Sequence, residues 1–310
     1  MLTLSVRRRR TAVLLAAATL AAGSGSAGAD VFSKPPPAPQ RLDAEIAWQV
    51  ELPSSQTIWF RSFHLIEGRI YAMATDGSVV AVRADTGEVS WMRSLVHEGD
   101  ALSPPVAYLT QERKAVAFTE LNRVVLLDPQ TGAEIDVLNM AKPAICQASV
   151  APGRVFVAQA NGRLAAYRLR DGYVFWRAAF EDQFTYPPVY APAINAVVAV
   201  DSVGLVAGLR NEHRTDSDVR RVIFKQNLRS APSGELAMDG DMLYLSTANQ
   251  TLHAIDMGRD ADSNAGDVVW QYRLSKAPQG GPILSASTIY QSTYGGGLHR
   301  IAKNFGEFNN

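Results

Sequence analysis

One cysteine, Cys146, stands in 310 residues. With no second thiol there is no internal disulfide, so the core alone must hold the fold. Cys146 lies in the apolar run KPAICQASV and reads as a small buried hydrophobe, not a nucleophile. The haem motif C-x-x-C-H and the hydrolase elbow G-x-S-x-G are both missing. The five histidines, His64, His97, His213, His253 and His299, show no H-x-H or H-x-x-x-H spacing. No acidic cluster has calcium-loop spacing; DADSN (Asp260 to Asn264) comes nearest and reads as a solvated turn. Neither sign of charge is in excess, with 30 basic and 30 acidic residues. Without a basic stripe, nucleic acid is excluded as a partner. No long stretch carries apolar residues at 3.6-residue spacing, so the chain is not helical.

The longest apolar run near the start, AVLLAAATLAA (Ala12 to Ala22), is 11 residues long, against about 20 needed to span a bilayer. A transmembrane segment is therefore not expected. The run follows MLTLSVRRRR and precedes GSGSAGAD. A basic region, an apolar region and a small-residue end, in that order, predict a signal peptide over residues 1–29, cut after Ala29. The expected location is periplasmic or secreted. Four arginines invite a twin-arginine route, but TAVLL fits that signal loosely and the ordinary secretory route is favoured. No Cys closes the apolar run, so no lipid anchor is expected. Losing Arg7, Arg8, Arg9 and Arg10 leaves 26 basic against 30 acidic residues, a net of −4. Residues 30–43, with VFSKPPPAPQ, read as a proline-rich linker.

What the sequence does have is a repeat. Trp48/Leu52, Trp91/Leu95, Trp176/Phe180 and Trp270/Leu274 share a W-x-x-x-apolar spacing. Asp136/Met140 and Phe224/Leu228 fill the two gaps, so the six positions lie 40 to 48 residues apart. Each unit runs in one order. An apolar run comes first (RIYAMA, KAVAFT, RVFVAQ, NAVVAV, MLYLST, STIYQST). A tight turn and a second run follow (SVVAVRA, RVVLLDP, RLAAYRL, GLVAGLR, TLHAIDM, GLHRIAK), then a polar turn and the Trp strand. The turns at Asp76-Gly77 and Asn161-Gly162 suit two-residue hairpins, whose central residues take positive φ. Units of this length with about four strands predict an all-β propeller.

The ends of the repeat differ. Three strands follow Leu274 without a Trp strand, whereas Trp48 has no room for three strands before it. The expectation is six four-stranded blades in one domain, residues 44–305, with a tail at 306–310. Glu45 to Leu52 is expected to pair with the strand near Leu298 to Lys303 and close the ring, removing unpaired edges. Trp48, Trp91, Trp176 and Trp270 recur regularly, so they are assigned to packing at the seams between blades, each burying about 150–250 Å².

The units GRIYAMATDGSVVAVRADTGEVSWMRSL and GRVFVAQANGRLAAYRLRDGYVFWRAAF resemble the repeats of the pyrroloquinoline-quinone-like propeller family. Such repeats occur in quinoprotein dehydrogenases and in the non-catalytic outer-membrane-protein assembly factor B family of scaffolds. The dehydrogenases carry eight blades, an adjacent Cys-Cys pair and a Ca²⁺ site, none of which this sequence has. The resemblance therefore implies a scaffold without cofactor or metal that binds another protein of the cell envelope, with the barrel assembly machinery as first candidate. In that family a Leu-Arg pair on an inter-blade loop engages the barrel partner; here the matching string NLRSAP places Leu228 and Arg229 there. The chain departs from the family in its six repeats and missing lipid-anchored Cys. The alternative is a quinone-dependent or metal-dependent enzyme working in the central channel. Glu120, Asp201 and Asn249, near the ends of inner strands, would be its candidate ligands.

Overall fold

Val, Ile, Tyr and Phe crowd the repeated runs, and β-branched and aromatic side chains suit a pleated surface. In a computed structural model these runs are the strands of a six-bladed β-propeller. It describes residues 2–9, 14–20, 44–52, 59–95, 102–109, 114–169, 171–211, 221–258 and 265–305. The expected cleavage point at Ala29, the linker, the DADSN turn, His97, His213 and the tail lie outside the described residues. Among those described, no helix is long and apolar enough to cross a membrane. The chain divides into two compact units, residues 1–104 with 127–134, and residues 105–126 with 135–310.

The first unit holds β1 (Leu2–Arg9), β2 (Leu14–Leu20) and β3 (Ala44–Leu52) in a sheet of order β2-β1-β3. Blade one follows as β4 (Phe60–Ile66), β5 (Arg69–Ala74), β6 (Ser78–Arg83) and β7 (Val89–Ser94), in sequence order. The expected ring closure is not what β3 makes in the 310-residue chain, which still carries the segment expected to be released after Ala29. β3 pairs with β1, Val6 opposite Trp48 and Leu2 opposite Leu52, and not with the last strands of the chain. The physical reason is that LTLSV alternates apolar and polar residues over a length that matches β3. It therefore supplies backbone partners along that whole edge.

The second unit holds the other five blades. Blade two is β8 (Val106–Leu109), β9 (Lys114–Thr119), β10 (Arg123–Leu127) and β11 (Glu134–Asn139), with Leu127 and Glu134 belonging to the first unit. Blade three is β12 (Ser149–Ala151), β13 (Arg154–Gln159), β14 (Arg163–Arg168) and β15 (Val174–Ala179). Blade four is β16 (Val189–Ala191), β17 (Ala196–Val200), β18 (Leu205–Arg210) and β19 (Val222–Asn227). Blade five is β20 (Ala237–Asp239), β21 (Met242–Thr247), β22 (Thr251–Asp256) and β23 (Val268–Arg273). The sixth is β24 (Ile283–Leu284), β25 (Thr288–Thr293) and β26 (Gly297–Ala302), a three-stranded sheet among the described residues.

The middle strands do not alternate between buried and exposed. β5, β13, β17 and β21 are buried at nearly every position because both faces of a blade are covered. Outer strands do alternate, as β7 and β15 do. Four outer strands carry a bulge just before the aromatic residue. In blade one Ala81 faces Trp91 and Val82 faces Val89, leaving Ser90 unpaired. Blades three, four and five repeat this at Ala166/Trp176, Gly208/Phe224 and Ala254/Trp270. The facing residue is small in all four, which gives the ring room on the sheet surface.

The indole then meets the polar turn of the following repeat, as the sequence pattern implies. Trp91 donates from Nε1 to the Pro129 carbonyl at 3.1 Å, and a Cβ on Gly132 would stand 2.6 Å from its ring. Trp48 repeats this on Ala84, at 2.9 Å, and Gly87. Gly266 approaches Phe224 in the same way. The glycine of D-T-G is thus required twice, for its positive φ and for the ring stacked on it. Of the turns expected to take positive φ at both residues, Asn161-Gly162 does, but at Asp76-Gly77 only the glycine does. There Asp76 instead accepts the Ser78 amide at 2.9 Å.

Candidate interaction surface

The outer strands end just before the apolar residue four places after the repeat position, which is aromatic in four blades and Asp136 in blade two. In five blades that residue donates its N–H to a carbonyl of the tight turn beside it: Leu95 to Gly77, Met140 to Asn122, Phe180 to Gly162, Leu228 to Gly204 and Leu274 to Gln250, at 2.7–3.2 Å. The bond fixes where the strand stops and the inter-blade connection begins. Side chains on these connections therefore project from a positioned backbone.

The pair Leu228 and Arg229 sits on one such connection, and the structure sends its members in opposite directions. Leu228 is buried with Phe224, Leu236 and Leu243 in the core shared by blades four and five. Arg229 takes a left-handed backbone, φ 54°, with its N–H held by Asn227 Oδ1 at 2.8 Å and its side chain exposed. Gly204 packs against this segment so closely that a Cβ there would stand 2.2 Å from the Ser230 carbonyl. Pro232 then bridges to Thr247 and delivers the chain to the next blade. Arg229 is the member of the pair presented to solvent.

The residues considered for a channel site are each engaged locally. Glu120 is buried and its Oε2 accepts from Arg123 Nε. Asp201 Oδ1 accepts the amides of Val203 and Leu205 at 3.1 and 2.8 Å, capping its own turn. Asn249 Oδ1 takes the Thr247 hydroxyl at 2.7 Å. Among the described residues no three His, Cys, Asp or Glu side chains come together as a metal-binding group. Burial, with a smaller push from Glu235, raises the Cys146 thiol to about 12. That is opposite to the lowering a nucleophilic thiolate needs. Burial lowers His64, and lowers His253 to about 4. His253 hydrogen-bonds Thr247 within the core of blade five.

Two features lie outside the sequence reading. Trp59, the fifth tryptophan, falls outside the repeat register and is 54% exposed beside β4. A groove of about 630 Å³ opens at one end of blade one, around Arg69. Its signal was in the runs themselves: RIYAMA and SVVAVR place arginines at the two ends that a hairpin brings together.

Comparison with known proteins follows the fold. A family model described as outer membrane protein assembly factor BamB matches residues 40–148 and 123–283. No curated protein sequence matches the chain. Among solved structures, BamB from Moraxella catarrhalis is similar, with a TM-score of 0.51 and 14% identity over 82% of this chain and 74% of that one. The computationally designed Ika8 protein gives 0.59 and 14% identity, over 79% and 71%. BBS1N, solved in complex with ARL6DN, gives 0.57 and 13%, over 75% and 74%. At these identities the likeness is one of fold.

Proposed function

Since the chain belongs to the outer membrane protein assembly factor BamB family, we propose that it is an exported, non-catalytic propeller that holds another protein in the cell envelope. The barrel assembly machinery is the first candidate partner. The family match, which runs from residue 40 to residue 283, carries this reading. The inter-blade connections support it, because they hold exposed side chains such as Arg229 on a hydrogen-bonded backbone. Loops on a fixed scaffold are where binding residues concentrate. Export is part of the same reading. The basic, apolar and small-residue order of residues 1–29 would deliver the protein across the inner membrane, with release after Ala29. Affinity capture from envelope extract tests it. A scaffold brings down a stable partner, identifiable by mass spectrometry. Recovery of the protein alone, together with turnover on added quinone and Ca²⁺, would establish the enzyme reading instead.

A further inference from the structure

Across β5 and β6, Arg69 stands directly opposite Arg83. Like charges in that register repel. Blade three has the same pair, Arg154 opposite Arg168, and there both guanidinium groups are placed. Arg154 lies 3.9 Å over the Phe175 ring and donates from Nη1 to the Gly153 carbonyl at 2.9 Å. Arg168 pairs with Asp171 and lies over Tyr173. In blade one only Arg83 is comparably placed, on Asp85 at 2.8 Å with Glu88 at 3.6 Å.

Arg69 differs for a reason visible in the strand. The bulge residue that supplies Phe175 in blade three is Ser90 in blade one, which has no ring to lay over the guanidinium. The Nε of Arg69 is buried without a partner, as is that of Arg154, but among the described residues Arg69 has neither the ring contact nor the side-chain hydrogen bond that places Arg154. Asp128 feels its charge. However, Asp128 Oδ1 is taken up by the Gln130 and Thr131 amides and the Thr131 hydroxyl, at 2.8, 2.8 and 3.1 Å. The unpaired guanidinium instead faces the groove of about 630 Å³, walled by the Glu67-Gly68 turn, the end of β6 and Gln130.

We propose that this groove binds a carboxylate side chain, an Asp or Glu on an exposed loop of the partner protein, with Arg69 as its bidentate anchor. A planar monoanion matches the guanidinium fork. Glu67 and Asp85 on the walls repel a phosphate dianion about twice as strongly as a carboxylate monoanion. The proposal deepens the scaffold reading and rests on it, so its test has two arms.

In the first arm, arginine Nε–Hε resonances of the full chain are followed during titration with sodium acetate, sodium phosphate or sodium chloride at constant ionic strength. The site requires a saturable movement of the Arg69 resonance with acetate alone. Ser90→Phe, which gives blade one the ring that covers Arg154, should abolish that movement; Arg69→Gln identifies the resonance. No movement, or equal movement with all three anions, overturns the site. In the second arm, wild type, Arg69→Gln and Ser90→Phe are compared in capture from envelope extract. Both variants should lose at least about tenfold in partner recovery, the scale of a lost charge-assisted pair. Undiminished capture by both overturns the carboxylate site and leaves the scaffold reading intact. If wild type captures nothing, the scaffold reading fails and the acetate arm alone decides the site.

Discussion

Lowering the pH should destabilise the protein through one side chain on β22. His253 is 3% exposed. Its Nε2 lies 2.9 Å from Thr247 Oγ1, and its Nδ1 is buried without a partner. With the Thr247 proton directed to Asn249 Oδ1 at 2.7 Å, the ring carries its own proton on Nε2 and leaves Nδ1 as a bare acceptor. A second proton would create a buried cation with an unanswered N–H, so burial holds the folded group at about 4 against an ordinary 6.5. The unfolded chain therefore binds more protons between those values. Stability falls as pH drops from about 6.5 to about 4 and levels off below. The full difference is up to about 3 kcal/mol, most of it already felt at about pH 4.5. His253→Val isolates it, because Val80 occupies the same register in blade one, one residue before the small residue that faces the tryptophan. Its loss of the Thr247 contact is constant with pH. Carboxylates such as Asp85 and Asp128, held below their ordinary range, also cost stability in acid but do so equally in both proteins. Urea unfolding of wild type and variant at pH 7 and pH 4.5 should show wild type losing about 2–3 kcal/mol more than the variant. Parallel losses would refute the argument.

The strands were legible because two signals agreed. The runs RIYAMA, KAVAFT and RVFVAQ coincide with β5, β9 and β13, since apolar composition marked each run and polar turns bounded it, with glycine on both sides of RIYAMA and RVFVAQ. Trp48 and Trp91 meet equivalent turns, at Ala84 and Gly87 and at Pro129 and Gly132, as residues repeated at one spacing are expected to meet one environment. The partner of β3 was not. Backbone hydrogen bonding is blind to sequence distance, so Leu2–Arg9 could compete for an edge that the repeat count reserved for the last strands. The two-residue match at Leu228 and Arg229 could not reveal that the repeat had already committed Leu228 to the core, whereas its register position did. The Arg69 groove depends on a substitution at a bulge, Ser90 for Phe175, and becomes meaningful only once the strands are paired.

Gly132→Ala should cost about 2–4 kcal/mol, because it adds left-handed strain at φ 68° to a Cβ 2.6 Å from the Trp91 ring. Gly153→Ala, at φ 71° with nothing within 4 Å, should cost only about 1 kcal/mol; equal costs in thermal unfolding would remove the ring contact as the cause. Trp91→Ala should lose about 3–5 kcal/mol from a buried seam, and Trp59→Ala, exposed beside β4, less than about 1 kcal/mol. Pyrroloquinoline quinone with Ca²⁺ should produce neither a cofactor absorption band nor dye-linked oxidation of alcohol or glucose, and turnover would overturn the scaffold reading. Arg229→Glu separates binding from folding. The side chain is exposed and the local backbone is held by Asn227 Oδ1, not by the guanidinium, so thermal stability should move by no more than about 0.5 kcal/mol. Leu228 stays in the core in both proteins, and the connection keeps its path. If this connection touches the partner, reversing the charge places a carboxylate where the partner has adapted to a cation, and recovery from envelope extract should fall at least about tenfold. Unchanged recovery by a stably folded variant would remove Arg229 from the interface, even with a partner in hand.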